Sequence, residues 1–122
     1  MRTWNSNIML NGREDMIEQI RELCKEYAEG LFDRAILFGS TARGENTDKS
    51  DIDIYIESRY LTGTKLLTNR KFVEFRLKLY DVTNDTIEFD LLSYGRNELK
   101  SIRNSLLYQQ VEKDGVILYD QR

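Results

Sequence analysis

One strictly alternating segment constrains the fold of this chain more than any other feature of its sequence. Residues 51–57 read Asp-Ile-Asp-Ile-Tyr-Ile-Glu, with an isoleucine at every second position. Successive side chains of a β-strand point to opposite faces, so the segment predicts a strand with one apolar face. The other face carries Asp51, Asp53, Tyr55 and Glu57. We expect this second face, including Tyr55, to point toward solvent.

Other patterns place helices and further strands around this segment. Apolar spacings of three and four predict three helices, at 14–30, 69–82 and 97–113. The apolar face of the last helix includes Leu106. Short apolar or alternating runs predict three further strands, at 34–38, 86–94 and 116–119. Because only residues 39–50 separate the first two strands, we expect an antiparallel or irregular pairing between them. The predicted fold class is α+β (mixed α/β), a small mixed sheet flanked by helices.

Length and charge limit the classes of protein that this chain can represent. The 122 residues fit a single domain, 1–122, in which residues 1–12 form an N-terminal arm without clear periodicity. The single cysteine, Cys24, lies on the apolar stripe of the first predicted helix, so we expect it in the core of a cytoplasmic protein. No apolar run exceeds four residues, which predicts no membrane span. A net charge of −3 argues against nucleic acid as a direct ligand.

Composition also limits the chemistry. The chain has no histidine, which removes histidine-based catalysis and most zinc sites. Asp51 and Asp53 would lie on one strand face, about 6.5–7 Å apart along the backbone, and would repel each other unless a cation lies between them. Oxygen ligands suit Mg²⁺ or Mn²⁺, and Asp90, with Glu88 as its alternative, is the candidate third carboxylate. The alternative for an isolated Asp-x-Asp is a solvated strand face.

A Gly-Ser turn follows the first predicted strand. Gly39 permits a tight turn and a close approach of a ligand to the backbone. Ser40 adds a hydroxyl, and successive backbone N–H groups at such a turn can bind an anion. Arg43, one helical turn further on, could neutralise a phosphate. A phosphate site beside a carboxylate-bound metal indicates nucleoside triphosphate chemistry.

The combined motif resembles a known signature. Gly39-Ser40-x-x-Arg43-Gly44, followed by Ser50-Asp51-x-Asp53, is similar to the nucleotidyltransferase motif of the DNA polymerase β superfamily. In particular, it resembles the MNT-type minimal nucleotidyltransferases over residues 14–120. The resemblance implies the nucleotidyltransferase fold, dependence on Mg²⁺ or Mn²⁺, and transfer of a nucleotidyl group from a nucleoside triphosphate, expected to be ATP.

The same resemblance implies a role for each matched residue. Gly39 and Ser40 would bind the triphosphate, and Arg43 matches the arginine of the motif as a nucleotide-binding residue. The metal ligands and catalytic residues would be the three aspartates. Asp51 and Asp53 would bind two metal ions, while Asp90 would bind the catalytic metal and favour deprotonation of the acceptor hydroxyl.

The acceptor remains open among three hypotheses. MNT-type proteins often act as antitoxins that attach AMP to a tyrosine of a HEPN-type toxin, and we take this as the leading hypothesis. A second hypothesis keeps the enzyme and makes the acceptor a small-molecule hydroxyl. A third is a non-catalytic nucleotide-binding module that inhibits its partner by contact. In the first and third, a protein partner is expected.

Overall fold

A computed structural model describes residues 6–45, 50–61 and 63–121. Its strands are β1 (Arg34–Phe38), β2 (Ile52–Ser58), β3 (Phe89–Gly95) and β4 (Val116–Asp120). Its α-helices are α1 (Ser6–Tyr27), α2 (Gly39–Arg43), α3 (Gly63–Leu67), α4 (Arg70–Val82), α5 (Leu99–Ile102) and α6 (Leu106–Asp114), with a 3-10 turn at Arg96–Glu98. Among the described residues, none of the helices combines the length and apolarity needed to cross a membrane.

The strands form one four-stranded mixed sheet in the order β3-β2-β1-β4. β1 pairs antiparallel with β2 and with β4, which confirms the pairing expected from the short β1–β2 connection. β2 and β3 are parallel, and the chain between them contains α3 and α4, as a parallel crossover requires. The predicted mixed sheet with flanking helices is confirmed, and β3 forms one of its edges.

The isoleucine face of β2 packs in the larger of two apolar clusters. Ile52, Ile54 and Ile56 are at most 1% exposed and lie among side chains of α1 and α4. The fully buried side chains of those helices include Ile20, Cys24, Phe72, Phe75 and Leu79. The predicted core position of Cys24 is confirmed, and burial raises the pKa of its thiol to about 12.

The other face of β2 is also buried, which corrects the expectation for Tyr55. The side chains of Tyr55 and Glu57 have no exposed surface. The Tyr55 ring lies 5.6 Å from the Tyr94 ring on β3 and 5.7 Å from the Tyr108 ring on α6. Alternation identifies the two faces of a strand but not what covers each of them. Here α5 and α6 cover the polar face, so only its first residues remain open.

Two helix predictions also differ from the structure. α1 begins at Ser6 rather than at residue 14, so most of the predicted arm is helical, and residues 1–5 lie outside the described residues. The predicted helix at 97–113 is two helices, because the Ser105 hydroxyl accepts the Tyr108 N–H and starts α6. This change of direction leaves Leu106 79% exposed, not buried as predicted.

Candidate active site

The three predicted carboxylates lie where β1 ends and where β2 and β3 begin. Asp53 is in register with Phe38 at the end of β1 and with Asp90 near the start of β3. Asp51 directly precedes β2. Asp51 and Asp90 are exposed, whereas Asp53, on the strand between β1 and β3, is half-buried. The register therefore brings Asp51, Asp53 and Asp90 to the same open end of these strands. This end of the strands is the carboxylate edge.

The electrostatics of this edge centre on Asp53. Burial raises the pKa of the Asp53 carboxyl above its usual value of 3.8, and the charges of Asp90 and Asp51 raise it further. Within the described residues, no lysine or arginine forms a salt bridge with any of these aspartates. Accumulated negative charge without a counter-charge, presented by oxygen atoms alone, fits a hard divalent cation. As placed, no three Asp, Glu or Cys side chains of the described residues are close enough to hold a metal ion.

The turn after β1 is packed directly against Asp53. Gly39 has a φ of +77°, in the left-handed region that glycine tolerates. A Cβ at this position would lie 2.5 Å from Asp53 Oδ2, which is closer than any non-bonded contact allows. Any side chain at position 39 would therefore force the Asp53 carboxylate to move. The close neighbour of Gly39 in the structure is thus an aspartate of the site, and the approach of a ligand to this backbone stays a prediction.

Arg13 holds the helix that follows this turn, a role that the sequence analysis missed. Its guanidinium donates to the carbonyls of Thr41 and Ala42, with distances of 2.9 and 2.8 Å. These two contacts join α1 to the end of α2 and so fix the turn at Gly39–Ser40. Arg13 stands in a polar stretch before the apolar stripe of α1, and nothing in the sequence relates it to residue 41.

The structure places Ser40 and Arg43 differently with respect to the aspartates. Ser40 is half-buried in the first turn of α2, next to Gly39. Arg43 is directed toward other acids: its Nε lies 2.8 Å from Glu45 and its NH1 lies 3.8 Å from Asp114. A phosphate at the turn would have to compete with these two carboxylates for the guanidinium.

Glu88, the alternative to Asp90, has a partner elsewhere. It accepts a hydrogen bond of 2.9 Å from the Tyr80 hydroxyl of α4. Asp90, by contrast, is in register with Asp53. Of the two candidates on this segment, Asp90 is therefore the one that belongs to the carboxylate edge.

The comparison with protein families identifies the domain. The family model for the polymerase β nucleotidyltransferase domain matches residues 18–122. The chain belongs to this family. The match covers the Gly-Ser turn, all three aspartates and every strand of the sheet.

Individual relatives agree with this assignment. The nucleotidyltransferase is 29% identical over 106 residues to the Methanocaldococcus jannaschii protein named "Putative protein adenylyltransferase MJ1379", covering 80% of this chain and 93% of that protein. Among solved structures, a toxin-antitoxin complex with AMP-PNP matches with a TM-score of 0.57 and 24% identity, over 87% of this chain and 74% of that one.

Two further structures share the fold. A mutant of the toxin-antitoxin MntA-HpeT has a TM-score of 0.55 and 21% identity over 87% of this chain and 74% of that one. A "putative nucleotidyltransferase" from Sulfolobus solfataricus has a TM-score of 0.50 and 22% identity over 99% of this chain and 93% of that one. For all three solved structures, at 21–24% identity, the likeness is one of fold alone.

Asp53→Asn is expected to stabilise the metal-free protein. The raised pKa of Asp53 means that the folded state holds this proton more tightly than the unfolded state. The wild type therefore loses stability as the pH rises from 3.8 through the higher pKa of the folded state. The variant should be more stable than the wild type at pH 7, and the two should converge below pH 3.8. Urea unfolding of both proteins across this range, in EDTA, measures the difference.

Addition of Mg²⁺ should reverse the order, because a ligand that binds only the folded wild type adds to its stability. Asp81→Asn, the same change at an exposed aspartate of α4, serves as the control. Equal pH dependence in the wild type and in Asp53→Asn would contradict the electrostatic assignment.

Proposed function

We propose that this nucleotidyltransferase transfers AMP from ATP to a protein hydroxyl, a tyrosine of a HEPN-type toxin being the acceptor. The observation that carries the transfer chemistry is the register that sets Asp53 between the turn at Gly39 and Asp90. The protein acceptor is supported by the M. jannaschii relative, which is named "Putative protein adenylyltransferase MJ1379". The alignment covers 93% of the length of that relative. The toxin is supported by the shared fold of the toxin-antitoxin structures.

The roles follow from position. Gly39 and Ser40 would bind the triphosphate at the turn. Arg13 holds the helix after this turn by donating to two backbone carbonyls of α2. Asp51, Asp53 and Asp90 would hold Mg²⁺ or Mn²⁺ after their side chains turn toward one another, since as placed the three are not close enough to share an ion. When bound, the metal would neutralise the triphosphate and lower the pKa of the acceptor hydroxyl. Arg43, next to the turn, would contribute positive charge if a phosphate displaced Glu45 from it.

The proposed reaction is a substitution at the α-phosphorus of ATP. The acceptor oxygen forms a bond to this phosphorus, the bond from phosphorus to the bridging oxygen breaks, and pyrophosphate leaves with the electron pair. The hydroxyl proton passes to a carboxylate oxygen of Asp90 and from there to water. Since Asp90 is exposed, this oxygen can exchange its proton with solvent.

The test follows α-labelled ATP with Mg²⁺ in a lysate of the source cells, separated on denaturing gels. We expect one dominant labelled protein with the wild type. Asp51→Asn and Asp53→Asn should each reduce the labelling about 10²- to 10⁴-fold, because a metal contributes several kcal/mol to such a transition state. The control Asp81→Asn makes the same change away from the site and should label as the wild type does.

Each other result points to a different function. Label only in small molecules, lost in the same two variants, would show a small-molecule acceptor. A partner that is bound and inhibited without any labelling, equally by wild type and by Asp53→Asn, would show a contact inhibitor. Either result would overturn the proposed transfer to protein.

A further inference from the structure

The edge strand β3 turns a defined set of backbone groups away from the sheet. Ile52 is in register with Phe89, and its N–H donates to the Glu88 carbonyl over 2.9 Å. In a parallel pair this pattern directs the backbone groups of the even-numbered residues of β3 toward β2. The N–H and C=O groups of the odd-numbered residues therefore point outward. These residues are Phe89, Leu91, Ser93 and Gly95.

Side chains of the protein provide hydrogen-bond acceptors for the first and last of these outward N–H groups but not for the middle two. The Phe89 N–H donates to the Tyr80 hydroxyl over 3.3 Å, and the Gly95 N–H donates to Glu98 Oε1 over 2.9 Å. For the N–H groups of Leu91 and Ser93, the described residues provide no acceptor. The open stretch is thus about the length of a short strand, and it begins next to Asp90.

Of the features that commonly protect an edge strand, the sequence of β3 carries one charged residue, Asp90, at its beginning and lacks two others. β3 reads Phe-Asp-Leu-Leu-Ser-Tyr-Gly and contains neither lysine nor proline, the residues that commonly prevent edge strands from pairing. Residues 91–94 are all partly exposed. On the α5 side, a cavity of about 360 Å³ opens beside the strand. Its lining residues are Tyr94, Asn97, Glu98, Ser101, Ile102 and Ser105.

We propose that an extended segment of the acceptor protein pairs with β3 as a fifth strand and that this pairing delivers the acceptor hydroxyl to Asp90. The inference rests on the proposed function. Paired strands lie about 4.8 Å apart, so a residue opposite Asp90 on the same face projects its side chain over the carboxylate edge. The peptide N–H and C=O groups of such a segment complement those of Leu91 and Ser93. The side chain four residues away along the segment, on the same face and opposite Tyr94, fills the cavity.

Backbone pairing gives affinity without requiring a particular sequence, while a pocket selects one side chain. The edge therefore assigns the acceptor to a chemical class: an unfolded or extended chain segment that carries a tyrosine, rather than a tyrosine on the surface of a helix. An acceptor tyrosine within a helix could not form this pairing unless that helix unfolds.

Ser93→Pro tests the pairing on the side of the enzyme. Proline removes an N–H that points away from β2, so the sheet is retained, and edge strands tolerate such a proline. Substrates are a pool of tyrosine-containing nonapeptides of mixed sequence, with α-labelled ATP and Mg²⁺. We expect the KM for peptide to rise about tenfold or more, since one edge hydrogen bond is lost and its partner is left unsatisfied. Affinity for AMP-PNP and kcat should stay within about twofold. Ser93→Ala, which keeps the N–H, should behave as the wild type.

Backbone N-methylation of the peptides tests the same pairing without changing the enzyme. Only alternate residues of a paired segment direct their N–H groups toward β3. Methylation of one alternate set should therefore abolish labelling, and methylation of the other set should leave it unchanged. Tolerance of both sets, loss with both, or an unchanged KM in Ser93→Pro would overturn the inference.

The outcomes separate this inference from the proposed function. If a protein in the lysate is labelled but no peptide is, transfer to protein stands and recognition of an extended segment fails. If neither is labelled, the proposed function itself fails. A homodimer in solution that dissociates in Ser93→Pro would show that a second copy of this chain occupies the edge, which also overturns the inference.

Discussion

Gly39→Ala is expected to abolish nucleotidyl transfer while leaving the protein folded. The added methyl group would lie 2.5 Å from Asp53 Oδ2, so the carboxylate would have to rotate away. Asp53 lies on β2, which pairs with β1 on one side and with β3 on the other. Its displacement therefore removes the central candidate ligand of the site. We expect a loss of at least about 10²-fold in the rate of AMP transfer, comparable to removing the carboxylate itself.

Gly44→Ala is the matched control, because it isolates the collision from the backbone strain. Gly44 has a φ of +74°, close to the +77° of Gly39, but a Cβ there would meet nothing within 4 Å. Both variants should lose about 1–2 kcal/mol of stability, the cost of a left-handed conformation for an alanine. Only Gly39→Ala should lose transfer activity. The rate of label transfer to the acceptor measures the activity, and urea unfolding measures the stability. Equal activity in the two variants would contradict the clash between a Cβ at position 39 and Asp53.

The local parts of the site could be predicted from the sequence. The strand predicted at 34–38 has the bounds of β1, because the glycine after the apolar run marks where the strand ends. The Asp-x-Asp spacing placed two carboxylates on one strand face. A third carboxylate on a neighbouring strand was expected at Asp90, and the register of Asp53 with Asp90 agrees with that expectation. Local periodicity was sufficient for the bounds of β1 and for the shared face of Asp51 and Asp53, whereas the pairing of β2 with β3 that brings Asp90 beside Asp53 is long-range.

The parts that depend on long-range packing could not be predicted in this way. The contact of Arg13 with the carbonyls of α2 joins residues 28 and 29 positions apart. The burial of Glu57 depends on α5 and α6, which come more than 40 positions later along the chain. The division of the last predicted helix had a local signal, since Ser105 is a preferred residue for the start of a helix. The apolar spacing across 97–113 was continuous enough to conceal it.

Glu57→Ala is expected to cost the largest share of the stability. Glu57 has no exposed surface, and its carboxylate lies 3.3 Å from Arg34 NH1 and 2.8 Å from Arg103 NH2. The Tyr55 hydroxyl donates to it over 2.5 Å. Removing Glu57 takes away the most buried carboxylate partner of Arg34, whose side chain is 5% exposed, and leaves it only the more exposed Glu112 at 3.5 Å and Asp120 at 3.9 Å. The expected loss is about 3–5 kcal/mol, out of about 5–15 kcal/mol for a native domain.

Arg103→Ala should cost far less, although it removes the shorter of the two contacts. The Arg103 side chain is 41% exposed, so its charge interacts with Glu57 partly through solvent, and Arg34 continues to neutralise the carboxylate after the change. We expect a loss of about 1 kcal/mol. Urea unfolding of both variants at pH 7 gives the comparison. Similar losses in the two would show that Glu112 and Asp120 are sufficient to neutralise Arg34 in the absence of Glu57.

A variant that replaces both charges shows whether this ion pair serves only stability or also positions the site. Arg34→Met combined with Glu57→Leu replaces both charges by apolar groups of similar volume, and such replacements are often neutral or stabilising. The double variant should therefore recover most of the stability that Glu57→Ala loses. Because Glu57 lies on the face of β2 that carries Asp53, a folded double variant also tests the site. Wild-type kcat in that variant would limit the ion pair to stabilising the pairing of β1 with β2, where Arg34 and Glu57 are in register. Reduced kcat at full stability would show that the pair positions the carboxylate edge.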